Sequence, residues 1–354
     1  MDPVAWDLAE RVAVRVAGRE PFADSYHHDS LAPDFAELTA EAEAIVTEET
    51  GLSSLAGPAR ARVTDRAGWV RANLNAFRRM ILPLTEKLGA RLDDGGVGAK
   101  VTRSVAGVEV GSLLGWMSTR VLGQYDLLIV EEEGNAEQDF VYYVGPNVLA
   151  LEKRYGFPPR EFRLWLAIHE VTHRAQFTGV PWLRGHFLGL VNQSLANVDP
   201  DPKRLVDGLR RALVDARGGR NPLDEGGLVA LFASPEQLEV LQQIGGLMSL
   251  LEGHGDITMD RAARDRIPSA DRFSAVLKQR RAKVTPVARL LQQLIGLEAK
   301  LNQYAQGEAF IEEVEEAGGR PLLDVVWEGP QRLPSLAEIR EPRLWIERVR
   351  VPVS

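Results

Sequence analysis

Apolar residues recur at helical spacing over most of the chain. Leu38 to Glu49 reads as an amphipathic helix ending near Gly51. A longer one runs from about Thr64 to Leu88, with Trp69, Leu74, Phe77, Met80 and Ile81 at helical positions, and Pro83 should kink it or end it early. A Gly-rich turn follows at Asp94-Gly95-Gly96. Val108 to Leu122 predicts another helix, in which Gly111 and Gly115 admit a close neighbour. The period then changes. Tyr125 to Glu131 and Phe140 to Val144 are short β-branched and aromatic runs around the polar turn Glu132 to Glu137, which predicts a strand pair. One helix follows to about Tyr155. The next opens at Pro158-Pro159, carries Phe162, Trp165, Leu166, His169, His173 and Phe177 along one side, and stops at Thr178-Gly179-Val180-Pro181.

The second half continues in the same manner. Asn197 to Gly227 is polar, with one surface helix expected around Pro202 to Arg217. Ser234-Pro235-Glu236-Gln237 is a helix start, with Ser as cap, Pro at the first position and Gln at the third. That helix should pass through Met248 and Glu252, and its interior Gly245-Gly246 should mark the close approach of another backbone. A helix from about Val284 to Glu313 follows. The tail from Pro321 is Pro-punctuated and reads as irregular. The fold class expected is predominantly α with a small β element (α+β). The chain reads as one unit over 1–354: a helical N-terminal part over 1–125, a core over 126–320 and an irregular tail over 321–354.

Composition narrows the chemistry. The chain has 354 residues, 45% of them hydrophobic and 26% charged, as in an ordinary soluble globular protein. A formal net charge of −8 argues against nucleic acid or an anionic membrane as partner. There is no cysteine, so disulfides, thiolate-bound metal and a thiol nucleophile are excluded together, and any metal must use His, Asp, Glu or backbone oxygen. The absence of cysteine suits a reducing compartment. The first residues lack the pattern of a signal peptide, and no apolar run approaches the ~20 residues needed to span a bilayer. A cytoplasmic location is expected.

The candidate chemistry lies in His169-Glu170-Val171-Thr172-His173. Residues four apart on a helix lie one above the other, so His169 and His173 can share one cation. Glu170 leans toward the same place and can act as general base on a water there. A catalytic zinc usually takes a third protein ligand and leaves one position open. The six histidines are His27, His28, His169, His173, His186 and His254. Glu252 is nevertheless the favoured third ligand. It ends the apolar stretch from Ile244 to Leu251, where an unpaired carboxylate would be costly. Asp256, one turn later, could orient a ligating His in the manner of the gluzincins. His254 could ligate or polarise a substrate carbonyl if Gly253 and Gly255 distort the helix, and His186 is a further alternative. His27 and His28 read as an exposed loop pair. Phe140 to Val144 is placed to be an edge strand beside the motif helix, against which substrate backbone could pair. Tyr142, Tyr143 and Tyr304 are possible oxyanion donors, although each suits a core or rim position. The basic run Lys278 to Lys283 reads as a solvated helix face.

The stretch from Leu164 to His173 resembles a zincin-like family of actinobacterial proteins. Its members are labelled hydrolases or zinc-dependent metalloproteases, some of them as associated with deazaflavin coenzyme biosynthesis. Further matching stretches are Trp69 to Asn73, Leu122 to Asp126, Ser249 to His254, Gln303 to Gly307, and Leu333-Pro334 to Trp345-Ile346. The resemblance implies a zincin-like metallopeptidase fold, one zinc ion held by His169 and His173, and Glu170 as the catalytic Glu. The expected activity is zinc-dependent hydrolysis of a peptide or small amide. The competing expectations are a catalytically silent, metal-stabilised binding protein and a helical metal bundle for non-hydrolytic chemistry.

Overall fold

A computed structural model describes residues 3–22, 25–81, 97–125, 139–196, 235–264, 266–282 and 297–350. Leu82 to Leu88, the turn at Asp94-Gly95-Gly96, most of the run from Tyr125 to Glu131, the expected surface helix at Pro202 to Arg217, and Val284 to Gly296 lie outside them. The chain divides into two compact units, Met1–Gly179 with Thr258–Asp271, and Val180–Ile257 with Arg272–Ser354. The class is α+β, as expected: helices throughout and one small sheet.

In the first unit, helix α1 (Trp6–Ala17) buries Trp6, Ala9, Ala13 and Ala17 along one face. The short helix α2 spans Tyr26–Asp29 and α3 spans Leu31–Thr50, closed by Gly51 in the left-handed conformation (φ 68°). Strand β1 (Arg60–Thr64) leads to α4 (Arg66–Met80), which is capped by the Asp65 side chain on the Gly68 N–H. Helix α5 (Val97–Ser118) is the partner of α1. Its Gly107, Gly111 and Gly115 lie against the main chain of Ala5, Ala9 and Ala13, and a Cβ on Gly111 would stand 2.4 Å from the Ala9 carbonyl oxygen. The two helices thus meet backbone to backbone, over a core of Trp6, Trp69, Val70, Leu74 and Leu114.

Strands β2 (Gly123–Tyr125) and β3 (Phe140–Val144) complete a sheet of order β1-β3-β2, with β1 parallel and β2 antiparallel to β3. This corrects the expectation for Phe140 to Val144: it is the central strand. Its apolar run has no polar alternation, which suits a strand covered on both faces. The edge strand beside the motif helix is Gly123–Tyr125.

Helix α6 (Gly145–Tyr155) leads to α7 (Pro159–Gly179), the motif helix, which packs on α3. Two buried arginines lock α7 in place. Arg163 makes a two-pronged pair with Glu152 at 2.8 and 3.0 Å and also reaches Asp34. Arg174 donates to Glu43 at 2.8 Å, to Asp139 at 2.9 Å and to the Gly57 carbonyl at 2.7 Å. Such pairs cost desolvation, but their fork geometry fixes how a helix is rotated about its axis.

The second unit holds α8 (Leu183–Ala196), residues 235–257 of α9 (Pro235–Ala263), α10 (Ala270–Ala282) from Arg272 on, and α11 (Leu297–Asp324), which is broken at Gly319 (φ 68°) before Pro321. Gly246 abuts the main chain at Pro334 and Ser335, and Gly253 that at Gly307, the close approaches that glycines in a helix interior signal. The tail corrects another expectation. It forms α12 (Leu336–Arg340), opened by a Ser335–Glu338 capping box, and α13 (Pro342–Arg350). Trp345 is completely buried with Leu250, Phe310 and Val314, its indole N–H on the Arg332 carbonyl at 2.7 Å. The prolines open short helices here. Among the described residues, no helix is long and apolar enough to cross a membrane.

Candidate metal centre

The motif lies well inside α7, more than one full turn from either end, so its side chains inherit a regular helical geometry. His169 and His173 are half-buried and their rings stand at 85° to each other. Their Nε2 atoms face one another at 3.3 Å. The Nδ1 of His173 lies 3.0 Å from the Oε1 of Gln176, which is fully buried. With that oxygen accepting, the His173 proton sits on Nδ1 and its Nε2 keeps the lone pair, the form a metal ligand needs.

The donor set fits zinc. Two zinc–nitrogen bonds of ~2.0–2.1 Å at a tetrahedral angle hold their nitrogens about 3.3 Å apart. Among the described residues, His169, His173 and Glu252 form a group able to hold a metal ion, with one ligand atom from each and all of these within 4.8 Å of one another.

Glu170 points at the edge strand. Its carboxylate accepts the Tyr125 main-chain N–H at 3.1 Å. Gly123 gives it room, because a Cβ there would come within 2.6 Å of Glu170 Oε1. Strand β2 is anchored in turn from α4: Trp69 donates its indole N–H to Gln124 Oε1 at 2.7 Å, and Gln124 donates to Asn73 at 3.0 Å. Trp69 and Asn73 are one helical turn apart, so one face of α4 holds the strand that holds Glu170.

The remaining expected residues fall as follows. His254 and Asp256 are buried on α9, and the His254 ring stands edge-on to Trp327 at 5.3 Å. Tyr304 falls within α11, but its side chain lies outside the described residues. Tyr143 is no oxyanion donor. It is fully buried, stacked on Phe35 at 3.8 Å, with its hydroxyl on Thr39 at 2.8 Å. Burial pushes that hydroxyl's pKa far up. Tyr142 faces Arg62 on the strand's other side. His186 packs against Trp182 on α8, and burial lowers its pKa. His27 and His28 lie half-buried on α2 rather than in an exposed loop, and His27 meets Lys153 Nζ at 2.8 Å. Gln176, Gly123 and Tyr125 carry no motif of their own. Gly123 and Tyr125 fall in the stretch Leu122 to Asp126 that resembles the family, and Gln176 lies three residues after His173 on the same helix face.

The model of a family described as zincin-like metallopeptidase matches residues 4–346. A crystal structure of a candidate hydrolase with a novel fold from Chloroflexus aurantiacus is similar over 99% of this chain and 100% of its own, at 29% identity and a TM-score of 0.72. None of the curated proteins matches the chain.

Proposed function

The chain belongs to the zincin-like metallopeptidase family, and from that premise we propose that it is a zinc-dependent hydrolase of peptide or small amide bonds. The observation that carries this reading is the pair of facing imidazole nitrogens at 3.3 Å beside a general base fixed by strand β2. His169, His173 and Glu252 would hold the metal, and Asp256 would steady the site from one turn beyond Glu252. When bound, zinc supplies Lewis acidity, which polarises a carbonyl and lowers the pKa of water toward ~7.

The protein's own groups do the rest. Gln176 holds His173 in the ligating tautomer. Glu170 takes a proton from water as its oxygen bonds to the carbonyl carbon, then returns that proton to the leaving amine as the C–N bond breaks. Strand β2 keeps the carboxylate from swinging away. His254 and Tyr304 are candidates to steady the carbonyl oxygen as it gains charge. A metal-stabilised binding protein is the second reading. The burial of Glu170 against main chain favours it, because a carboxylate so held can also be purely structural.

The test is elemental analysis of purified wild type beside Glu252→Ala, followed by a peptide-library screen. About one zinc per chain, largely lost in the variant, supports the three-ligand site. Absence of metal after reconstitution removes the reading. Bound zinc without cleavage of any library member favours the second.

A further inference from the structure

A second candidate lies in the first unit, among residues at the start of α1 and on α4 and α5. A cavity of about 410 Å³ opens at the start of α1, lined by Val4, Trp6, Asp7, Arg11, Arg78 and Arg103 among others. Its volume falls within the range of small-molecule sites. Three guanidinium groups meet one carboxylate among the described lining residues, in a protein whose overall charge is −8. Arg103 and Arg11 keep unused donors. Arg103 Nε is buried without a hydrogen-bond partner. Arg11 donates to the Asp7 main-chain carbonyl at 3.2 Å, which occupies one N–H of its guanidinium. Arg78 lies over the Trp6 ring, 5.9 Å from its centroid. The adjoining groove adds Arg15 and Arg71, of which Arg71 is paired with Glu10 at 2.9 Å.

Converging like charges repel, and a buried donor without an acceptor is costly, so an arrangement of this kind asks for an anion. Guanidinium forks match phosphate oxygens two at a time, and an apolar floor beside them suits the body of an organic ester. We propose that this cavity is a binding site for a small phosphate ester. Its phosphoryl group would sit on Arg11 and Arg103, and its apolar part on Val4 and Trp6. This site is independent of the metal centre and of hydrolysis.

Phenyl phosphate and inorganic phosphate, titrated separately into the full-length chain by calorimetry at fixed ionic strength, test it. Wild type is expected to bind phenyl phosphate saturably and more tightly than inorganic phosphate. Arg103→Gln should weaken binding at least about tenfold, the loss of a charged hydrogen bond. Arg103→Lys, which keeps the charge and loses the fork, should fall between. Arg160→Gln, on exposed α7 surface, should bind as wild type does. Should Arg103→Gln fail to fold, Arg11→Gln at an exposed position serves in its place. No saturable binding by wild type, or equal binding by wild type and the folded arginine variants, overturns the proposal. Zinc content and amide hydrolysis are unaffected by either result.

Discussion

At the scale of single residues, the metal centre separates into groups that hold a cation and one that moves a proton. Glu170→Gln is nearly isosteric and should keep zinc while losing hydrolysis; His173→Ala should lose both. Parallel zinc analysis and a cleavage assay separate the two, and full activity in Glu170→Gln would remove the general base from the mechanism. Gln176→Leu tests the support beneath His173. Removing such a partner should weaken zinc binding about 10–100-fold, as read by competition with a chromogenic chelator. The spacing of His169, Glu170 and His173 made the ligand pair and the base legible in the sequence, because residues four apart on a helix must share a face. The support for Glu170 was not legible. It comes from the main-chain N–H of Tyr125 and the missing Cβ of Gly123, and no local pattern says which side chain a backbone amide or a glycine will face.

At the scale of elements, the helices were largely readable because each buries one stripe, and the caps at Asp65 and Gly51 fall where the period ends. Strand β1 was missed. Its residues Arg-Ala-Arg-Val-Thr are half-exposed and charged, and only pairing with β3 makes them a strand. The centre and edge of the sheet were exchanged for a related reason, since strand order is set by long-range pairing and not by local pattern. Two arginines on α7 are almost fully buried, each held by carboxylates that come from other elements of the sequence. Arg174 is the sharper test. Its replacement by Ala leaves Glu43 and Asp139 facing the sheet and α3 without their counter-charge. Losing one member of a buried pair costs about 3–5 kcal/mol. Urea denaturation should show a loss of that order, and a change within experimental error would mean that α7 is held by its apolar contacts alone. Arg174→Met should recover part of the loss through packing.

At the scale of the whole molecule, one family model spans nearly the entire chain, and the sequence stretches that resemble that family bear on the fold at points far apart. Trp69 and Asn73 secure Gln124, Gly253 and Gly307 meet where two helices cross, and Trp345 fills the core of the second unit. The tail is helical where its prolines suggest irregular chain, because at the first position of α13 proline costs no helical hydrogen bond. That tail also gives the fold a dependence on acid. Burial alone would raise the pKa of Glu338, but the Arg348 guanidinium, at 2.6 Å, and the Ser335 hydrogen bonds outweigh it and hold the carboxyl below its ordinary value of 4.5. A carboxyl with a depressed folded-state pKa binds fewer protons folded than unfolded. Its contribution is therefore fully present above about 4.5 and is lost as pH falls through the lower folded value. Glu338→Gln should be clearly less stable than wild type at neutral pH, and the gap in urea midpoint should narrow as pH drops below 4.5. A gap that stays constant with pH would mean that the charge of Glu338 contributes nothing, and that only its hydrogen-bonding shape closes the tail.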